Sequence, residues 1–349
     1  MILYFLNNIM ISINNNFKWL FLVLFIIIYY PLLYFVYKFY SPDFGGKDFY
    51  FYYPLFKDFD IEKTEAPFNM RLIGSFFVYI FNKLKLCYLA QINFNNPKID
   101  QCVFFNAIFV NWLSVVFTAY LIFIETIKKL NDIVWGFTIS LIFLLSFGTL
   151  FFLLSPISDG FSVMLITIAF ILYEKKNNLL YWIYLLLLFQ REFAFVIFGI
   201  ISFMDYIYTK NKWFFMQCII NGVLFILYYV LRKTVFFTPM YANQITESNF
   251  IYSLFHISID IPAFIKQVFL SQNIYFIYFL LLIINYNLNY DINKKHIITL
   301  ILFVIITFII SRIAVANNNM GRFLFMFVPI LILEMMLPEI IKIKQKLVK

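Results

Sequence analysis

Charge is scarce in this chain, and so are histidine, cysteine and arginine. Only 13% of the residues are Asp, Glu, Lys or Arg, roughly half of what a soluble domain carries. Two histidines, His256 and His296, leave little room for a histidine-based metal centre. Cys87, Cys102 and Cys218 are an odd set without metal-ligand spacing, and the expected role is that of small buried hydrophobes. No nucleotide-binding loop is present. Nor is there a basic domain: the lysines behind the net charge of +9 sit in short loops between apolar runs. That is the positive-inside pattern of a membrane protein rather than a nucleic-acid signature.

Apolar residues fill the chain instead. They make up 63% of it, with 49 Phe and 25 Tyr, and the mean hydropathy is +0.86. Several runs approach the roughly 20 residues that cross a bilayer. The aromatic excess, alongside much Asn, Ile and Lys, reads as the composition of an AT-rich genome. The expected fold is therefore all-α: a polytopic integral membrane protein with about ten transmembrane helices in one domain.

Loop charge sets a register for those crossings. The first helix covers 17–38 and is expected to be an anchor, since no small-residue cleavage site follows it. A large extracytoplasmic loop with an interfacial helix covers 39–101, the helix being Arg71 to Ala90, where Asn82, Lys83 and Lys85 rule out a lipid-facing centre. Central helices fill 102–231, with crossings at 102–124, 133–154, 161–173, 179–189, 193–208 and 213–231. A second outer loop covers 232–272; crossings at 273–288, 297–311 and 323–337 and a lysine-rich tail complete 273–349. Both termini then lie in the cytoplasm. A hairpin broken at Gln190-Arg191-Glu192 keeps Lys210, Lys212, Lys294 and Lys295 on the cytoplasmic side.

The stretch Ser41–Gly74 gathers Asp43, Asp48, Asp58, Asp60, Glu62 and Glu65, a third of the 18 acidic residues. The chain has 22 lysines but five arginines, Arg71, Arg191, Arg232, Arg312 and Arg322, and the register puts all five on the outer side. Topology needs only a charge, which lysine supplies. Arginine adds a planar fork that binds phosphate or carboxylate bidentately. The outer face thus collects Asp43, Asp48, Asp159, Glu192 and the arginines, while the helix centres carry no charge. An ion-coupled transporter needs ionisable groups near the midplane.

Carboxylates and arginines at an outer face suit a reaction whose leaving group is already a phosphate. The guanidinium groups stabilise the departing anion, and a carboxylate takes the proton of the acceptor hydroxyl. Asp48 is the first choice for that base, because Gly45-Gly46 before it lets a ligand approach the backbone and Tyr52 and Tyr53 follow as partners for a sugar ring. Asp43 is the second. Asp58-Phe59-Asp60 has the form of a metal-binding triplet, so a divalent metal stays open as the one cofactor, and the same run reads equally as a solvated surface.

The segments GGKDFYFYY and APFNMRLIG after a first crossing, then SPISDG, QREFAF and GRFLFMFVPIL, resemble the landmarks of polytopic glycosyltransferases of the C superfamily. The resemblance implies an inverting glycosyltransferase using a polyprenyl-phosphate sugar donor and a glycolipid or polysaccharide acceptor within membrane lipid. It implies Asp48 as base, with Arg71 and Arg322 on the phosphate or glycan; Asp159, Arg191, Glu192, Arg232 and Arg312 join them as candidates for substrate binding. Three alternatives remain at this level. A surface-polysaccharide polymerase needs two large arginine-bearing outer loops. A lipid or oligosaccharide flippase needs a polar path, for which only breaks such as Asn106 and Asn111 offer themselves. A scaffold needs no one-sided charge.

Overall fold

The computed structural model describes residues 18–39, 48–64, 68–85, 87, 99–236, 273–288, 290–291, 293–313 and 320–347. Asp43 and the stretch from Phe250 to Phe269 lie outside the described residues, and Arg312 lies outside the described side chains. Every element among the described residues is helical. In chain order these are α1 (Lys18–Phe39), α2 (Phe49–Asp58), α3 (Leu72–Lys83), α4 (Gln101–Leu130), α5 (Ile133–Leu144), a π-helical turn (Thr149–Leu153), α6 (Asp159–Glu174), α7 (Leu179–Leu188), α8 (Phe193–Thr209), α9 (Lys212–Thr234), α10 (Asn273–Asn287) and α11 (Lys294–Ile313). A last helix starts as α12 (Met320–Met326), passes through a π-helical segment (Leu331–Met336) and ends as α13 (Leu337–Leu347).

Among the described residues three helices are long and apolar enough to cross a membrane: Trp19–Val36 of α1, α4 and α9. Their outward faces are apolar too, as with Ile27 and Phe35 on α1 and Ile219, Val223 and Ile226 on α9, all exposed. A hydrocarbon surround is the solvent that tolerates such faces. This is a helical membrane-type bundle, with α4 as its buried centre.

Local chemistry sets the helix ends. The Asp100 carboxylate accepts from the Cys102 amide at 2.8 Å and starts α4; Asp132 accepts from Val134 and Trp135 at 3.0 and 3.3 Å and starts α5. Asn131 and Lys210 take left-handed backbone angles (φ 49° and 54°) that close α4 and α8. Asn211 then caps α9 through the Trp213 amide at 2.9 Å, so α8 and α9 reverse within a few residues. The second crossing is longer than expected: α4 runs to Leu130 rather than 124. Glu125, placed in a loop by its charge, stays helical because Lys128 (2.6 Å) and Lys175 (3.2 Å) neutralise it. The expected tail is likewise helical, with Lys344 of α13 on Asp132 at 2.7 Å.

The cysteines correct the sequence reading. Cys87 and Cys102 are not separate small hydrophobes but form a disulfide that ties the chain after α3 to the first turn of α4; Cys218 is free. Neighbouring polar bonds fix the same joint: Asn82 of α3 donates to the Phe56 carbonyl at 2.6 Å and accepts from Asn106 of α4 at 2.6 Å. Spacing concealed the pair, since 15 residues and a polar linker separate the two positions. Maleimide labelling of the denatured protein is expected to count one thiol before reduction and three after it. A count of three without reduction refutes the bond.

Candidate functional site

Each helix direction follows from its partners. At one end of the bundle Tyr173 of α6 donates to Asp205 of α8 at 2.7 Å, and Lys295 of α11 bridges Asp205 and Glu334 (2.8 Å to the latter). At the other end α6 begins with Asp159, and there the chain brings together residues from five distant segments.

Asp159 is completely buried and lies between two arginines. Its Oδ2 accepts from Arg322 Nε at the start of α12, and its Oδ1 lies 3.2 Å from Arg191 Nη1, in the break between α7 and α8. Arg322 reaches further, through Nη1, to Asp48 Oδ2 at 2.8 Å. Asp48 stands at the N-terminal boundary of α2 yet makes no capping bond with its side chain. Its carboxylate turns to Arg322 instead and is 38% exposed, against 8% for Arg322 and 0% for Asp159. Asp48 is the carboxylate at the mouth, and Asp159 the one at the floor.

Tyr52, one turn along α2, is buried; its hydroxyl accepts from Arg71 Nη1 and from Ser158 Oγ at 3.2 Å. Arg71 also stacks its guanidinium over the Phe68 ring at 5.2 Å. Burial opposes its charge, but the electrostatic pull of Tyr52 and Glu192 prevails and holds its pKa above the ordinary arginine value. Glu192 closes the ring of charge: burial works against its ionisation, and the guanidinium groups of Arg71 and Arg191 outweigh that and keep its carboxyl below the usual range. Arg232, in the last turn of α9, adds to the same field.

Neutral groups hold this set in place. The Gln190 amide accepts from Gly74 N at 2.8 Å and donates to the Ser158 carbonyl and Ser162 Oγ at 3.0 Å each, so it ties α3 and the α7–α8 break to the start of α6. A Cβ on Gly74 would press the Gln190 amide at 3.2 Å. Asn111 of α4 donates to the Ser155 carbonyl at 2.7 Å and to that of Ile157, fixing the loop that leads into Asp159. Gly160 makes the close approach possible: a Cβ there would lie 2.7 Å from the Leu153 carbonyl and 2.9 Å from Asn111 Oδ1. An apolar cavity of about 370 Å³ lies between α1, α3, α4 and α6, lined by Leu22, Ile26, Phe77, Phe81, Phe117 and Phe161 among others and by none of the charged residues above.

Of the residues expected at the site, Asp48, Tyr52, Arg71, Asp159, Arg191, Glu192, Arg322 and, at its edge, Arg232 converge. Tyr53 stands apart: its hydroxyl accepts from the Asp100 amide at 3.1 Å and steadies the start of α4. Asp58 and Asp60 are also elsewhere, at the far end of α2. Lys63 pairs with Asp60 at 2.9 Å and, mainly by that hydrogen bond, lowers its carboxyl pKa. Among the described residues no group of three or more His, Cys, Asp or Glu side chains is placed to hold a metal. Gln190, Ser158, Asn111 and Gly160 were not anticipated in the site; the signal for Gln190, Ser158 and Gly160 was adjacency to Arg191 or Asp159, and that for Asn111 was a polar break in an apolar run. No family model matches the chain, and no curated protein or solved structure matches it either.

Among the described residues, Arg71 Nε, Arg191 Nε and Arg322 Nη2 are buried without a hydrogen-bond partner, as is the acceptor Glu192 Oε2. Unsatisfied buried donors of positive charge are what an anion completes.

Two outcomes are expected from this packing. Asp159→Asn leaves two buried guanidinium groups uncompensated and should lower stability by about 3–5 kcal/mol, read as a fall in Tm of the purified protein. Gly160→Ala should cost roughly 1–3 kcal/mol by overpacking, whereas Gly199→Ala on α8, where a Cβ meets nothing within 4 Å, should leave Tm unchanged.

Proposed function

We propose that this chain is a membrane glycosyltransferase that moves a sugar from a polyprenyl-phosphate-linked donor to a lipid-linked or surface glycan acceptor at the outer face of the membrane. The observation that carries the reading is the cluster just described: one partly exposed carboxylate, Asp48, at the mouth of a site floored by Arg71, Arg191 and Arg322. In this mechanism the acceptor hydroxyl attacks the anomeric carbon and its proton passes to Asp48. The bond from that carbon to the phosphate oxygen breaks, and the phosphate leaves with the electron pair as an anion. Guanidinium groups in a low-dielectric site stabilise the charge that develops on it. The inverting outcome follows from a single displacement.

Two further observations support the placement. The Cys87–Cys102 disulfide belongs to the joint that carries α2, α3 and Arg71, and such bonds persist in oxidising compartments. This favours an extracytoplasmic site and a lysine-rich cytoplasmic end. In that arrangement α1, α4, α5 with its π turn, and each helix from α6 to the α12–α13 unit, make ten passes. The cavity between α1, α3, α4 and α6 is apolar, as a hydrocarbon chain of a lipid-linked donor requires. Asn106 and Asn111, the polar breaks that a flippase path needs, are instead engaged in bonds that hold the site loops.

The test is the surface glycan profile of a deletion strain complemented with wild type, Asp48→Asn or an empty vector, at matched membrane levels. Loss of one glycan species in both the deletion and the Asp48→Asn strain is the expected result. Full rescue by Asp48→Asn removes Asp48 as the base and moves the role to Asp43. An unchanged profile in the deletion strain itself refutes glycosyl transfer.

A further inference from the structure

Among the described residues Arg322 is the one side chain that touches both Asp48 and Asp159, and the two contacts are unlike. On the Nε side it meets Asp159, which is fully buried, shared with Arg191, and held at the start of α6 by the tight approach of Gly160 to α4. On the Nη1 side it meets Asp48, which is 38% exposed and makes no capping bond to its own helix. The remaining nitrogen, Nη2, is buried and has no hydrogen-bond partner among the described residues. An anion that reaches Arg322 therefore competes for Nη1 with the more exposed and less anchored of the two partners.

The charges lead to the same asymmetry. Arg71, Arg191 and Arg322 face Asp159 and Glu192, an excess of one positive charge that Asp48 offsets from the mouth. Arg232 adds to the positive side through its pull on Glu192. A phosphoryl anion can supply that negative charge in place of Asp48. Meanwhile the Asp48 oxygen that Arg322 holds is already engaged as a hydrogen-bond acceptor.

We propose that Arg322 is an exchange residue: it holds Asp48 while the site is empty and gives that grip to the phosphoryl group of the substrate, so that anion binding unmasks the base. Asp159 is the positioning residue that keeps the guanidinium in place during the exchange. This rests on the glycosyl-transfer reading for the role of Asp48, whereas the competition between Asp48 and an anion does not.

The experiment is equilibrium binding of a polyprenyl phosphate to the purified full chain in lipid nanodiscs. Wild type is compared with Asp48→Asn, Arg322→Lys, Arg322→Gln and the double variant Asp48→Asn/Arg322→Gln, each first checked for a monodisperse elution profile. Exchange predicts that Asp48→Asn binds more tightly than wild type by about tenfold, the factor of one charge-assisted hydrogen bond no longer competing. Relief of repulsion alone would raise affinity in the Arg322→Gln background as well, whereas exchange predicts that the gain vanishes in the double variant. Arg322→Gln should bind at least as many fold more weakly, with Arg322→Lys between; should Arg322→Gln fail to fold, the gain from Asp48→Asn is expected to shrink in the Arg322→Lys background instead. Equal affinity in wild type and Asp48→Asn overturns the exchange and leaves phosphate recognition standing. Absence of binding in every variant overturns the exchange together with the phosphate-donor reading.

Discussion

A carboxylate sealed in an apolar bundle is stable only if positive charge lies within contact distance, and the arrangement around Asp159 follows from that requirement. Desolvating an ion costs several kcal/mol unless partners compensate it. Asp159 is fully buried, so Arg191 and Arg322 must come to it from the α7–α8 break and the start of α12. Those two arginines are then buried as well and need further negative charge, which Asp48 supplies for Arg322, while Glu192 acts on Arg191. Arg71 is drawn in by Glu192 and by the Tyr52 hydroxyl. One buried charge thus fixes the relative positions of five separate chain segments.

The bundle uses the same device at its other end, with a different outcome. There Lys295 links Asp205 and Glu334, Lys129 pairs with Glu174 at 2.8 Å and Lys344 with Asp132, so lysine carries the positive charge throughout. A lysine ammonium is a compact point charge that hydrates readily, whereas a guanidinium offers a fork of donors that stays charged when desolvated. The arginine end is the more buried and leaves donor atoms unused. It has the spare hydrogen-bonding capacity that recognition of an anion calls for; the lysine end is a set of clamps between helix termini.

Between the two ends the polar side chains serve packing. Gln217 and Asn221 of α9 donate to Tyr181 and Tyr184 of α7 at 3.0 and 3.3 Å, the kind of side-chain bond that joins helices where water is absent. Asn285 of α10 donates to Glu339 at 2.7 Å in the same way. The rigid framework of such bonds, together with the Cys87–Cys102 tie, leaves Asp48 as the loosely held member of the site. The looser hold on Asp48 and the fixed position of Asp159 both follow from how far each carboxylate is buried.

Much of the helical organisation was legible from apolar runs punctuated by lysine and asparagine, because a bilayer admits few other solutions for backbone polar groups. The break at Gln190-Arg191-Glu192 was legible for the same reason: charge interrupts a hydrophobic run only where it can be compensated. The scarcity of arginine beside plentiful lysine also marked the residues of the cluster. What sequence could not reveal was pairing. It could not say that Asp159 rather than Glu192 takes Arg191, that Asp48 faces Arg322 instead of capping α2, or that Cys87 joins Cys102, since these partners are distant or separated by an uninformative linker. Glu125 was misread as a loop residue because its neutralising partner Lys175 belongs to another hairpin. Sequence alone determined which residues cannot face hydrocarbon, through the cost of desolvating them. Tertiary structure decided which charge compensates which, because only the fold brings them within hydrogen-bond distance.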